Sequence, residues 1–278
     1  MPALMRGSRV GDDGWADRAT GSSTFRNAAR AGYLATGVLH FLLAYVIVML
    51  ALRANSSGVS ADPSGALATL AGGIGGAPIL WTVCAAFAGI GLWRVVETVI
   101  GTHPSHQLAG DRRRSERLKA AGLAVVYFAL AFSAAQFAMG TGTSSGPQNV
   151  GLSAELMQTL WGRGALIVVG AVILVIGVYH VYKGFARTFL DDLAVSGTPA
   201  IVFLGMTGYV AKGFAIGGAG AMVLAATVWS EPAKASGLDA AVGALSHTAL
   251  GQALLIVAAT GLVAYGFFSF AASRLARL

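Results

Sequence analysis

Charge is what this chain has least of. Of 278 residues only 11% are Asp, Glu, Lys or Arg, against roughly 25% in an average soluble domain. A soluble protein of this size needs a charged skin. A composition that is 55% hydrophobic, with a mean hydropathy of +0.69, cannot supply one. Cysteine is almost absent. Cys84 stands alone inside an apolar run, which excludes an intramolecular disulfide and a cysteine-rich metal site. A basic soluble domain is missing as well, so the net charge of +7 does not mark a nucleic-acid binder. Residues 1–29 lack the apolar core of a signal peptide and, with Gly, Ser, Arg and Asp mixed through them, read as a disordered cytoplasmic tail.

What is present is six apolar segments, at 31–52, 77–100, 119–140, 164–183, 208–229 and 248–270. Each approaches the ~20 residues that cross ~30 Å of hydrocarbon as a helix. The runs are too long for strands and lack their period-two alternation. Basic residues cluster on one side: Arg6, Arg9, Arg18, Arg26 and Arg30, then Arg112, Arg113, Arg114, Arg117 and Lys119, then Lys183 and Arg187, and finally Arg274 and Arg277. The other side holds Arg53, Arg163 and Lys234. The positive-inside bias predicts that both termini are cytoplasmic.

The segments repeat. Gly32-Tyr33-Leu34-Ala35-Thr36-Gly37 matches Gly208-Tyr209-Val210-Ala211-Lys212-Gly213 at an offset of 176, and Ala121-Gly122 echoes Ala31-Gly32. Among the second helices, Leu70, Gly76 and Gly91 correspond to Leu156, Gly162 and Gly177, and these to Leu245, Gly251 and Gly266. The expected fold is therefore an all-α integral membrane protein. Its six transmembrane helices form three parallel tandem two-helix repeats, 30–102, 118–190 and 204–278, about a pseudo-threefold axis. Each outer connection also holds a short apolar-periodic piece: 66–74 after Asp62-Pro63, 152–161 with Ser153 as a cap, and 238–245 with Asp239.

First helices opening GY-x-A-(R/K)-G, outer segments of the type D-x-x-x-A-L and second helices closing on glycine and an aromatic resemble the bacterial membrane family called domain of unknown function 1206. The resemblance runs from about residue 28 to 274. The third copy carries it best, through Gly208 to Gly213 and Ala264-Tyr265-Gly266; the first has Thr36 where the basic residue is expected. The resemblance implies architecture and a bacterial inner membrane. It brings no catalytic residues with it.

Chemistry-bearing residues inside apolar runs are few. Arg94 and Glu97 lie in GIGLWRVVET, on one helical face, where His180 and Lys183 and then Ser269 and Ala272 take their places in the later copies. They read either as snorkelling anchors with an intrahelix ion pair or as contacts on a solute path. Lys212, read as one turn into its helix, reads either as a partner of Glu97 or as a lysine snorkelling to the interface. His40, ~14 Å along the first segment, reads as a buried neutral histidine or as a proton relay. Haem held by His40 and His180 lacks an attachment motif, so no cofactor is expected. His103 and His106 read as solvated loop residues. The glycines at 72, 73, 75 and 76 have no preceding strand and no Lys-Ser/Thr after them, so they are not a phosphate loop. Gly213, Gly217 and Gly220 read as close helix contacts.

No nucleophile–base arrangement and no carboxylate cluster is legible, so a non-enzymatic protein is expected. Two functions fit. One is a partner- or lipid-binding scaffold, with membrane lipids and a membrane protein as partners. The other is a small-solute or ion path along the repeat axis, lined by His40, Arg94, Glu97, His180 and Lys212, with Lys183 in the same polar cluster.

Overall fold

A backbone crossing hydrocarbon must satisfy its own N–H and C=O groups, and the apolar runs do so as helices. The computed structural model describes residues 23–52, 60–100, 110–194 and 197–276. In chain order the helices are α1 (Ser23–Leu52), α2 (Pro63–Ala71), α3 (Gly76–Ile100), α4 (Gly110–Ala138), α5 (Ser145–Leu156), α6 (Leu160–Phe185), α7 (Pro199–Trp229), α8 (Leu238–Ser246) and α9 (Ala249–Leu275). Two 3-10 turns, Thr188–Asp192 and Pro232–Ser236, follow α6 and α7. Among the described residues six helices, α1, α3, α4, α6, α7 and α9, are long and apolar enough to cross a membrane. The start of α1 and the end of α9 therefore lie on one face, called here the terminal face.

Four boundaries differ from the sequence reading. Residues 23–29, expected in the disordered tail, form the first turns of α1. No glycine or proline interrupts the chain between Gly21 and Gly32, so the helix propagates freely. The fifth span begins at Pro199 and not at 208, because the Thr198 side chain accepts from the Ile201 N–H and Pro199 suits the first helical turn. Ser153 lies buried inside α5 and is not its cap. Asp239 stands in the first turn of α8, where Gly237 is the N-cap, and its carboxylate accepts from the Ala61 N–H at 2.9 Å.

Two sets of repeated glycines explain the internal match. Gly76, Gly162 and Gly251 stand where a short helix turns into a second span. A Cβ there would lie 2.4 Å from the Leu70 carbonyl oxygen, 2.1 Å from that of Leu156 and 2.0 Å from that of Leu245. Glycine thus recurs at these three positions because a backbone carbonyl from the preceding short helix or turn occupies the space a side chain would need. Gly91, Gly177 and Gly266 lie deeper, where each repeat meets the next. A Cβ on Gly91 would press on the Phe128 ring at 3.1 Å, one on Gly177 would overlap the Gly217 nitrogen at 2.4 Å, and one on Gly266 would meet the Gly37 carbonyl oxygen at 3.1 Å.

The packing follows these contacts. The second span of each repeat lies along the first span of the next: α3 on α4, α6 on α7, and α9 back on α1. Pairing within repeats is uneven. It is close between α7 and α9, weaker between α1 and α3, and no comparable packing joins α4 to α6. The spans form a ring in the order α4, α3, α1, α9, α7, α6, unsealed between its ends.

On the face opposite the termini, α2, α5, α8 and the Pro232–Ser236 turn form a layer over the ring. Its polar knot is built on Asp62, which caps α2 through the Gly65 N–H (2.9 Å) and accepts from Ser64 Oγ (2.5 Å) and Ser145 Oγ (2.7 Å). Ser144 Oγ donates to Ser60 Oγ at 2.6 Å. Replacing Gly177 by Leu is expected to force α6 off α7 and leave little monodisperse protein on size exclusion. Gly122→Ala, whose Cβ would meet no atom within 4 Å, is expected to hold or raise the thermal midpoint. Equal tolerance of both substitutions would refute the seam.

Candidate functional site

Polar and aromatic side chains converge inside the ring, in the half nearer the terminal face. Lys212 is central to them. α7 has 31 residues and is ~46 Å long, with Lys212 ~20 Å from one end and ~26 Å from the other. Wherever ~30 Å of hydrocarbon is laid along such a helix, Lys212 falls within it. The same holds for His40 on the 30-residue α1, ~26 Å and ~18 Å from its ends. Lys212 is therefore deeper than a span starting at residue 208 implied.

Tyr265 of α9 joins the two. Lys212 Nζ donates to the Tyr265 hydroxyl at 3.1 Å and lies 4.5 Å from its ring centroid, and the His40 ring lies 4.6 Å from that ring, centroid to centroid. The phenol gives the ammonium an oxygen and a π face, partly replacing lost hydration. Among the described residues no carboxylate pairs with Lys212. Tyr265 is the side-chain partner found for Lys212 among the described residues. Glu97 itself lies in the last turn of α3, and its side chain lies outside the described residues.

His40 and His180 share one local device. Nδ1 of His40 donates to the Thr36 carbonyl at 2.7 Å, and Nδ1 of His180 to the Ile176 carbonyl at 2.8 Å. A carbonyl can only accept, so Nδ1 carries the proton and Nε2 is left as an acceptor. Both rings, like Lys212, are half-buried.

Toward the terminal face the site becomes aromatic. Tyr209 stacks on Phe189 at 5.3 Å and on His180 at 6.1 Å, with Phe268 and Tyr265 edge-on at 5.6 and 5.2 Å. Phe189 is fully buried and comes from the Thr188–Asp192 turn. It reaches inward because Gly205 offers no side chain: a Cβ there would lie 2.2 Å from the ring. Lys183 lies 5.2 Å from the Tyr209 centroid and pairs with Asp192 of the same turn at 2.7 Å. Lys183 thus holds the plug and stands apart from Lys212.

The structure therefore gathers His40, His180 and Lys212, sets Lys183 at the mouth, and leaves Arg94 on α3 within electrostatic reach of Tyr33. His103 and His106 lie outside the described residues, as do the side chains of Arg112, Arg113 and Arg114. Sequence reasoning missed Tyr265, Tyr209, Tyr33, Tyr127 and Phe189. The repeated Gly-Tyr pair at 32–33 and 208–209 was the available signal.

An ammonium held in hydrocarbon without a counter-charge costs stability. Lys212→Met is expected to raise the thermal midpoint of the purified protein, and Tyr265→Phe, which leaves the ammonium without its oxygen, to lower it by about 1–3 kcal/mol equivalent. A Lys212→Met protein that melts lower than the native chain contradicts this account.

Comparison with known proteins agrees with the repeat structure. The model of the Domain of Unknown Function (DUF1206) family matches three times, over residues 31–101, 118–187 and 207–276. A Bacillus subtilis (strain 168) protein named "Uncharacterized protein YxxB" is 26% identical over 247 residues, covering 86% of this chain and 87% of its own. No solved structure matches. With three matched copies spanning most of its length, the chain belongs to the DUF1206 family and is a multi-pass membrane protein.

Proposed function

We propose that this is a non-enzymatic protein of the bacterial inner membrane, with both termini in the cytoplasm. Its three repeats surround a pseudo-threefold axis, and the space between them binds and passes a small anionic solute. The observation carrying this reading is Lys212: a half-buried ammonium at mid-span with a phenol and, among the described residues, no carboxylate beside it. Leaving such a charge uncompensated costs several kcal/mol (order of magnitude). An anion seated at about 4 Å returns about 4 kcal/mol at an effective dielectric near 20. The site is thus worth most when a ligand supplies the missing charge. His40 and His180 add two ring nitrogens for hydrogen bonding, and the tyrosines add flat apolar walls. A scaffold has no need of a cation at this depth, and for that reason the solute reading is preferred.

The test is thermal stabilisation of the purified full chain by inorganic phosphate, sulfate, acetate and a long-chain carboxylate, each titrated separately. At least one should raise the midpoint of the native protein and of Lys212→Arg but leave Lys212→Met unmoved, as binding to the native state requires. If none does so, the anion site is lost. For orientation, a periplasm-dependent phosphatase fused after residue 278 should be inactive and a cytoplasm-dependent reporter active. The reverse result would invert the topology.

A further inference from the structure

The ring has one unpacked seam, and it determines what reaches Lys212. The end at the terminal face is filled over α1, α7 and α9 by Phe189, Tyr209 and Phe268. The strap carrying Phe189 is tied down by Lys183–Asp192 and by the backbone bond from the Ala194 N–H to the Leu275 carbonyl, 2.7 Å. The opposite end is covered by α2, α5 and α8 around Asp62. Between α4 and α6 there is no such closure.

Leu123 stands one turn from Tyr127 on α4, and Ile176 and Val169 lie on the His180 side of α6. Had α4 and α6 packed, these positions would be covered. Leu123 is 39% exposed, Ile176 42% and Val169 49%. The opening thus has apolar lips facing the bilayer, with Tyr127 and His180 just inside and Lys212 beyond.

We propose that the ligand is a single-chain amphiphile with an anionic head, such as a long-chain carboxylate, which enters sideways from the bilayer between α4 and α6. Its head sits against Lys212 and the Tyr265 hydroxyl, and its chain lies between the apolar lips. This inference rests on the anion-site reading above and narrows it. A water-borne inorganic anion has no use for an apolar side door. A neutral lipid has no use for the ammonium.

The experiment uses the full chain in zwitterionic phospholipid vesicles. The probe is a long-chain carboxylate with a photoreactive diazirine near its methyl end, and labelled residues are mapped by mass spectrometry. Labelling is expected to saturate and to concentrate on α4 and α6 about Leu123, Val169 and Ile176. The unlabelled carboxylate should compete and its methyl ester should not. Lys212→Gln should reduce labelling about tenfold, corresponding to loss of a charge-assisted contact, while Lys212→Arg retains it. Labels spread evenly around the bundle, or equal competition by the methyl ester, would overturn the proposal; should a Lys212 variant fail to accumulate, this native-protein arm still decides. If phosphate or sulfate stabilises the protein through Lys212 while the carboxylate probe labels nothing, the anion site stands and sideways entry falls. If neither happens, both fall.

Discussion

Backbone-to-backbone contact at the repeat boundaries is the constraint on which the rest depends. In lipid there is little hydrophobic force between helices, so association comes from van der Waals fit and from interhelical polar contacts. At the α6–α7 seam a missing side chain recurs every seventh residue, at Gly170, Gly177 and Gly184, and on the facing helix at Gly213 and Gly220. That spacing keeps one face of each helix in register with the other over two heptads. The α9–α1 seam uses Gly266 and Gly37, with Phe41 and Phe270 filling the space beside them. The α3–α4 seam has only Gly91, against a phenylalanine ring.

These seams join each repeat to its neighbour more firmly than to itself. The hairpin written into the chain is therefore not the main packing unit. The second helix of one copy and the first of the next form that unit, and α9 on α1 closes the series. Within-copy pairing is left free to vary, and among the described residues it does, from close in the third copy to slight at most in the second. A ring of three related parts thereby acquires one distinct side without losing its repeated joints.

Much of the scaffold could be read from residue order alone. Six apolar runs and three leucine–glycine pairs predicted the spans and their repetition, because long hydrophobic stretches and obligatory glycines leave plain marks in a sequence. Polar partnerships were less legible. Lys212 was read as one turn into its span because the span was started at 208, whereas the Thr-Pro start at 198–199 lies upstream of the repeated Gly-Tyr motif. Tyr265 gave no signal because a tyrosine in an apolar run looks the same whether it faces lipid or an ammonium. Phe189 sits in a connection, and no local pattern says that a loop phenylalanine folds back onto a helix glycine. The spans were local facts, whereas the site is a product of tertiary packing.

The length of α7 has a further consequence. At ~46 Å it exceeds a ~30 Å hydrocarbon layer by some three turns, while its partner α6, with 26 residues, is ~39 Å long. The Phe203–Met206 stretch of α7 lies at its terminal-face end and, with Arg187, Gly197 and Pro199, walls an open groove of about 410 Å³. Overhang gives this short stretch a place at the boundary between headgroups and water, where an arginine and a phenylalanine are both at home. The same extra turns that sink Lys212 to mid-bilayer thus raise a ledge at the surface, so the depth of the buried charge and the height of the ledge are set together by one helix start.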